Sequence, residues 1–193
     1  MSREPFRSET TLTRTPDDAL FARMATGDLA PLGELFDRHH ASVRHFLLRI
    51  LINPAEADDL VQETFLTASR AASAFTPGAP ARPFLLGIAA HLAQRKRRGF
   101  ARLRRMLEAF GHRPAEATPL APDRLEGGER YAALHTALAK LPEKHRILLV
   151  MVELGEMSGV DAARALGLPP GTVWRRLSEA RTELARQLQG MKS

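Results

Sequence analysis

The stretch that decides the fold is Ser158 to Leu188, SGVDAARALGLPPGTVWRRLSEARTELARQL. Ser158 can cap a helix with Asp161 three residues on, Ala162, Ala163 and Leu166 give that helix one face, and Gly167 ends it. Leu168 to Gly171 make a tight turn. The next helix places Val173, Leu177, Ala180, Leu184 and Leu188 on a narrow apolar seam that must pack inward. At about 100° per residue, Arg175, Ser178, Glu179, Thr182 and Arg186 fall on the opposite side. This is the pattern of a helix-turn-helix whose second helix sets its first turns against base edges in the major groove. Arg175 has the fork for a guanine, Ser178 and Thr182 are tolerant readers, and Glu179 can accept from a cytosine. Arg176 and Arg181 lie on the flanks, better placed for phosphates. A solvated helix of an ordinary bundle is the alternative; the small-residue first helix, the glycine-ended turn and the basic outward face together favour DNA.

Outward from this stretch, apolar residues recur every three or four positions through the chain and no strand is read, so the fold class is all-α. Of 193 residues, 28 are Lys or Arg and 22 Asp or Glu, a net charge of +6 that suits an anionic partner. There is no Cys, which excludes a secreted disulfide scaffold and a thiolate metal cage. Apolar runs such as Ile147 to Val152 are far too short to cross a bilayer, so no membrane insertion is expected. Glu4, Glu9, Asp17 and Asp18 near the start, without an apolar core, argue against a signal peptide and for a cytoplasmic location.

Residues 1–14 are polar and unpatterned, an expected disordered tail. Thr15 as cap, Pro16 and Asp18 open a first helix that Gly27 closes, and a second starts from Asp28 or Pro31. A third opens with Asn53 as cap, Pro54 in first position and Glu56 reaching back, and runs to about Phe75. Thr76 to Pro83 is a loop, and a fourth helix runs from near Phe84 to about Arg98. Gly99 to Gly128 is the linker, its first part able to form a basic helix. The expectation is therefore two small helical domains, 15–98 and 129–193, joined by a linker over 99–128, the second carrying the helix-turn-helix.

On the third helix Leu60, Val61, Thr64 and Ala68 form the buried side, while Gln62, Glu63, Leu66 and Arg70 lie within about 60° of Asp59 on the other. One apolar residue among amides and carboxylates suits a protein partner; a plain solvated face is the alternative. Asp58 and Asp59 diverge by about 100° and do not make a metal or acid–base pair. Between residues 95 and 105 stand Arg95, Lys96, Arg97, Arg98, Arg102, Arg104 and Arg105 with no acid, a phosphate-binding surface or a solvated run. His39, His40, His91, His112, His135 and His145 lack zinc-protease spacing. No P-loop or nucleophile elbow appears, so no catalytic residue, metal or cofactor is expected.

Two motifs carry a family resemblance. AEADDLVQETFLTA (Ala55 to Ala68) resembles the core-binding helix of sigma-70 family factors of the extracytoplasmic-function (ECF) group, and LPEKHR with VDAARALGLPPGTVWRRLSEARTEL resembles their promoter-binding C-terminal domain. The resemblance covers roughly 17–98 and 129–188. It implies a factor that lends RNA polymerase its promoter choice, with core enzyme and promoter DNA as partners and an anti-sigma factor as regulator. Asp59, Gln62, Glu63 and Leu66 fall on the clamp-binding motif. The Thr76 to Pro83 loop and the fourth helix, with Phe84, His91, Arg95, Lys96, Arg97 and Arg98, are implied to serve −10 recognition and strand opening. Thr172, Arg175, Arg176, Ser178, Glu179 and Thr182 are implied to read −35. The sequence departs from the family at His91 and Arg95, and at Trp174, where a small basic residue is common. A sigma-derived DNA-binding regulator that does not support initiation is the second reading.

Overall fold

The computed structural model describes residues 15–51, 53–109 and 128–190; the expected tail over 1–14 and linker residues 110–127 lie outside them. The described part is helical: α1 (Asp17–Ala25), α2 (Pro31–Ile50), α3 (Ala57–Arg70) and α4 (Ala81–Ala109), then α5 (Gly128–Lys140), α6 (Glu143–Leu149), α7 (Gly159–Leu166) and α8 (Pro170–Gly190).

In the first half, the apolar stripes close on one another. Leu20, Phe21 and Met24 of α1 meet Leu35, Val43, Phe46 and Leu47 of α2 and Leu60, Val61, Phe65 and Ala68 of α3, all buried. Thr64 is buried among them without cost in unpaired polarity, because its hydroxyl donates to the Leu60 carbonyl at 2.6 Å. Phe21 stacks on Phe75 with ring centroids 4.0 Å apart, and Phe84 meets both edge-on.

The ends differ from the sequence expectation for local reasons. Pro16, not Thr15, holds the cap position of α1, so no side-chain bond is made there and Asp17 and Asp18 supply the favourable N-terminal charge. Asn53 does cap, but a 3₁₀ turn over Pro54–Glu56 that leads into α3: its Oδ1 accepts from the Ala55 N–H at 3.1 Å. Helix α3 stops at Arg70, and a second 3₁₀ turn, Ala72–Ala74, carries the chain to Phe75. Helix α4 starts at Ala81, with Pro83 in its first turn where the missing N–H has no partner to lose. It also runs past Arg98 to Ala109, about 43 Å in all. A glycine such as Gly99 costs a helix only about 1 kcal/mol, too little to stop one flanked by good helix formers.

In the second half, Leu138, Ile147, Leu148, Met151, Val173 and Leu177 make the core. Arg146 is only 2% exposed among them, and its Nη1 donates to the carbonyls of Leu138 and Ala139 at 3.4 and 3.2 Å, serving the otherwise open end of α5. Burial, with the like charge of Arg97, lowers this guanidinium to about 10, still protonated at neutral pH. Helix α6 widens into a π-helical turn, Val150–Leu154. Then the helix-turn-helix follows as read: the Ser158 hydroxyl oxygen accepts from the Asp161 N–H at 3.0 Å, and Gly167 ends α7 at φ 62°.

The halves pack together through α4 and α7, with α2 touching α5 and α6, and one apolar cluster runs through both. Gly87 sits at the crossing: a Cβ there would stand 2.4 Å from the Ala165 carbonyl oxygen. Beside it Arg82 donates to Ser42 Oγ at 2.8 Å and across the seam to the Gly155 carbonyl at 2.7 Å.

Removing the α7 cap with Ser158→Ala is expected to cost about 1 kcal/mol, and Gly167→Ala, which forces a left-handed residue, about 1–2 kcal/mol. Urea unfolding followed by circular dichroism measures both.

Candidate functional site

Three surfaces collect the residues singled out from sequence. On α3, Asp59, Gln62 and Glu63 are exposed and Leu66 is 48% exposed, while Leu60, Val61, Thr64, Phe65 and Ala68 of the same helix are buried. The helical period makes this so, since residues three and four apart share a face. Asp58, next to the stripe, is tied to Arg44 at 2.7 Å. Asp59 and Glu63 have no ion pair among the described residues, and Leu66 lies on the same face about one turn beyond Glu63, so an exposed apolar side chain adjoins two carboxylates open to a partner.

The second surface is α4. Phe84 is half-buried, its ring edge-on to Phe21 and Phe75 at 5.4 and 5.5 Å, so it is anchored in the first core while still bordering a cavity of about 320 Å³ between α4 and α7. His91 is exposed one turn beyond Gly87 and borders that cavity too. Of the basic run, Lys96 pairs with Glu56 at 3.3 Å and Arg97 reaches Glu143 of the second half at 3.7 Å. Arg95 and Arg98 are exposed and carry no ion pair among the described residues. The positive field here is therefore concentrated on the side of α4 away from those two acids.

The third surface is α8. Arg175, Ser178 and Thr182 are exposed along one line, and Thr172 is half-buried in the first turn. The Thr182 hydroxyl donates back to the Ser178 carbonyl at 3.1 Å, which leaves its lone pairs free to accept. Glu179 is less free than its sequence position suggests. Its carboxylate stands 3.1 Å from His145 Nε2, off the angle of a hydrogen bond, and 3.9 Å from Arg175. Arg176 lies on the flank, half-buried, and borders a cavity of about 200 Å³ with His91 and Gln94 of α4. Arg181 is held by Glu153, with Nε to carboxylate at 2.9 Å.

Sequence periodicity could not find the contacts that join these surfaces. Gly87, Arg82 and the seat of Trp174 on Gly159 involve residues far apart in the chain. Gly87 alone left a local sign, as a glycine in the middle of a helical pattern. Among the described residues no three His, Asp or Glu side chains converge to hold a metal ion, and no helix is long and apolar enough to cross a membrane.

A helix-turn-helix with an exposed reading face, a basic helix and a separate acidic stripe define a helical DNA-binding protein that also docks on a protein. The family profile of Sigma-70 region 2 matches residues 35–105 and that of Sigma-70, region 4, matches residues 131–184. The ECF RNA polymerase sigma factor SigM of Mycobacterium tuberculosis is 34% identical over 175 residues, 89% of this chain and 84% of that one. Among solved structures, CnrH in complex with the cytosolic domain of CnrY is similar at 27% identity and a TM-score of 0.61, covering 90% of this chain and 97% of that one. The sigma factor RpoE of Bartonella quintana, in complex with the anti-sigma factor NepR, shares the fold at 22% identity and a TM-score of 0.66 over 81% of this chain and 96% of that one. The chain belongs to the sigma-70 family of RNA polymerase sigma factors, in its ECF group, and is a factor for promoter-specific transcription initiation. Both halves match, as the first sequence reading requires; nothing in the relatives favours the regulator reading.

Neutralising the free cations of α4 gives a quantitative check. The double substitution Arg95→Ala, Arg98→Ala is expected to reduce the slope of log affinity against log salt for single-stranded DNA by about 1.4, close to 0.7 per lost phosphate contact. Fluorescence anisotropy over a salt series measures it, and an unchanged slope removes both side chains from the DNA surface.

Proposed function

We propose that the chain divides initiation among the three surfaces: the α3 stripe docks on the core enzyme, α4 captures the opened −10 strand, and α8 reads −35. The observation that carries the first assignment is the exposure of Leu66 on one face with Asp59 and Glu63, which have no ion pair among the described residues, on a helix whose other face is fully committed to the core. Gln62 adds an amide that both donates and accepts, which fixes orientation. On α4, bases that leave the stack would meet a basic surface formed by Arg95 and Arg98, with His91 and Phe84 at its edge, while Lys96 and Arg97 on the other side are held by Glu56 and Glu143. On α8, Arg175 faces a base edge, Ser178 and Thr182 line its groove side, Thr172 and Arg176 take the backbone, and Glu179 steadies Arg175 from 3.9 Å. The factor works by binding, in the cytoplasm, and the complexes of CnrH with CnrY and of RpoE with NepR support an anti-sigma partner for this chain too.

The seam between the halves sets a condition on this work. The −10 and −35 elements lie some 25 base pairs apart, about 85 Å along the duplex, yet His91 and Arg176 border one cavity. The halves therefore part before both elements are read. Every contact at the seam is formed in the closed arrangement and absent from the open one, so the closed state is favoured until polymerase and promoter offset it.

Charge reversal tests the docking assignment. Asp59→Arg or Glu63→Arg is expected to weaken capture of core RNA polymerase at least tenfold with helical content unchanged, measured by co-elution and circular dichroism; full binding by both variants would remove the stripe from the interface. At the seam, Gly87→Leu drives a side chain into the Ala165 carbonyl. More transcript at limiting factor concentration is expected in a reconstituted reaction, and a fall in output with normal polymerase capture would contradict the requirement for opening.

A further inference from the structure

Trp174 is the only tryptophan of the chain, and it stands 51% exposed in the second turn of α8. Its pose is not loose. The six-membered ring lies over the first turn of α7, where a Cβ on Gly159 would stand 2.7 Å from Cη2 and 2.8 Å from Cζ2. The missing side chain of Gly159 thus makes room for one edge of the ring in this pose and leaves the rest open.

Trp174 stands on the flank of the reading surface. Along α8, Trp174 is about 40° from Ser178 and about 100° from Arg175, and α8's first turns are those that meet base edges. The cation below it does not extend phosphate binding to this flank: Arg181, two turns on and about 20° away, is held by Glu153 at 2.9 Å. What the flank offers DNA is a fixed apolar surface. In the major groove the one apolar group on a base edge is the C5-methyl of thymine.

We propose that Trp174, braced on Gly159, is a further specificity-determining residue that takes a thymine methyl within the −35 element. The proposal rests on the assignment of α8 to −35. Holoenzyme reconstituted from core RNA polymerase and the full chain is offered a promoter pool with a randomised −35 hexamer, and bound DNA is sequenced. The wild type is expected to enrich thymine at one position that Trp174→Ala leaves unselected, with the other positions unchanged. Replacing that thymine by uracil removes only the methyl group and should weaken the wild type roughly fourfold while leaving Trp174→Ala unaffected. Gly159→Ala keeps the tryptophan but unseats it, and should lose the same preference at unchanged helical content. If Trp174→Ala enriches the same hexamers as the wild type, or weakens all of them uniformly, the ring does not read a methyl. If the wild type selects no hexamer and Arg175→Ala alters nothing, the −35 assignment itself fails, and the proposal with it.

Discussion

At Gly87 a hydrogen atom stands where any other residue would carry a side chain, and the carbonyl oxygen of Ala165 occupies the space a Cβ would need, at 2.4 Å. Helices α4 and α7 can cross this closely only because of it, and the rest of the arrangement follows. The approach brings Arg82 within reach of the Gly155 carbonyl, carries the apolar cluster of the first half into the second without a break, and lays part of α4 beside α8. At this contact Arg82 satisfies both the Ser42 hydroxyl and the Gly155 carbonyl.

Much of each half was legible in the sequence, because the evidence for it is local. The α8 seam of Val173, Leu177 and Ala180 is buried as its spacing says, and the Ser158 cap and left-handed Gly167 bound α7 as expected. The α3 stripe is exposed for the same reason: a helix with Leu60, Val61, Thr64 and Ala68 inward has no choice about where Asp59, Gln62, Glu63 and Leu66 point. Ends were less legible. Pro16 displaced Thr15 at a cap, a 3₁₀ turn came before α3, and α4 ran through Gly99, because each end is decided by differences of about 1 kcal/mol or less that neighbouring residues overturn.

What could not be read was everything that depends on a partner far along the chain. Glu179 looked like a free reader of cytosine, yet His145 approaches it from α6. Trp174 looked out of place in a basic helix until Gly159 supplied its seat. These are tertiary facts, and they lie at or beside the surfaces that act. The positive charge likewise divides by location: Arg181, Arg97 and Lys96 are engaged by acids, Arg175 stands 3.9 Å from Glu179, and Arg95 and Arg98 are exposed with no ion pair among the described residues.

The claim that joins these parts is that a closed chain opens to span the two promoter elements. Because the protein contains no Cys, single cysteines at the exposed positions Ala22 and Gln189 can be labelled with a donor and an acceptor dye and the distance followed from the free chain to the transcribing complex. The account predicts efficient energy transfer in the free chain and its loss, by a separation of tens of ångströms, once core RNA polymerase and promoter DNA are both bound. Transfer that stays unchanged in a complex actively making RNA would contradict it.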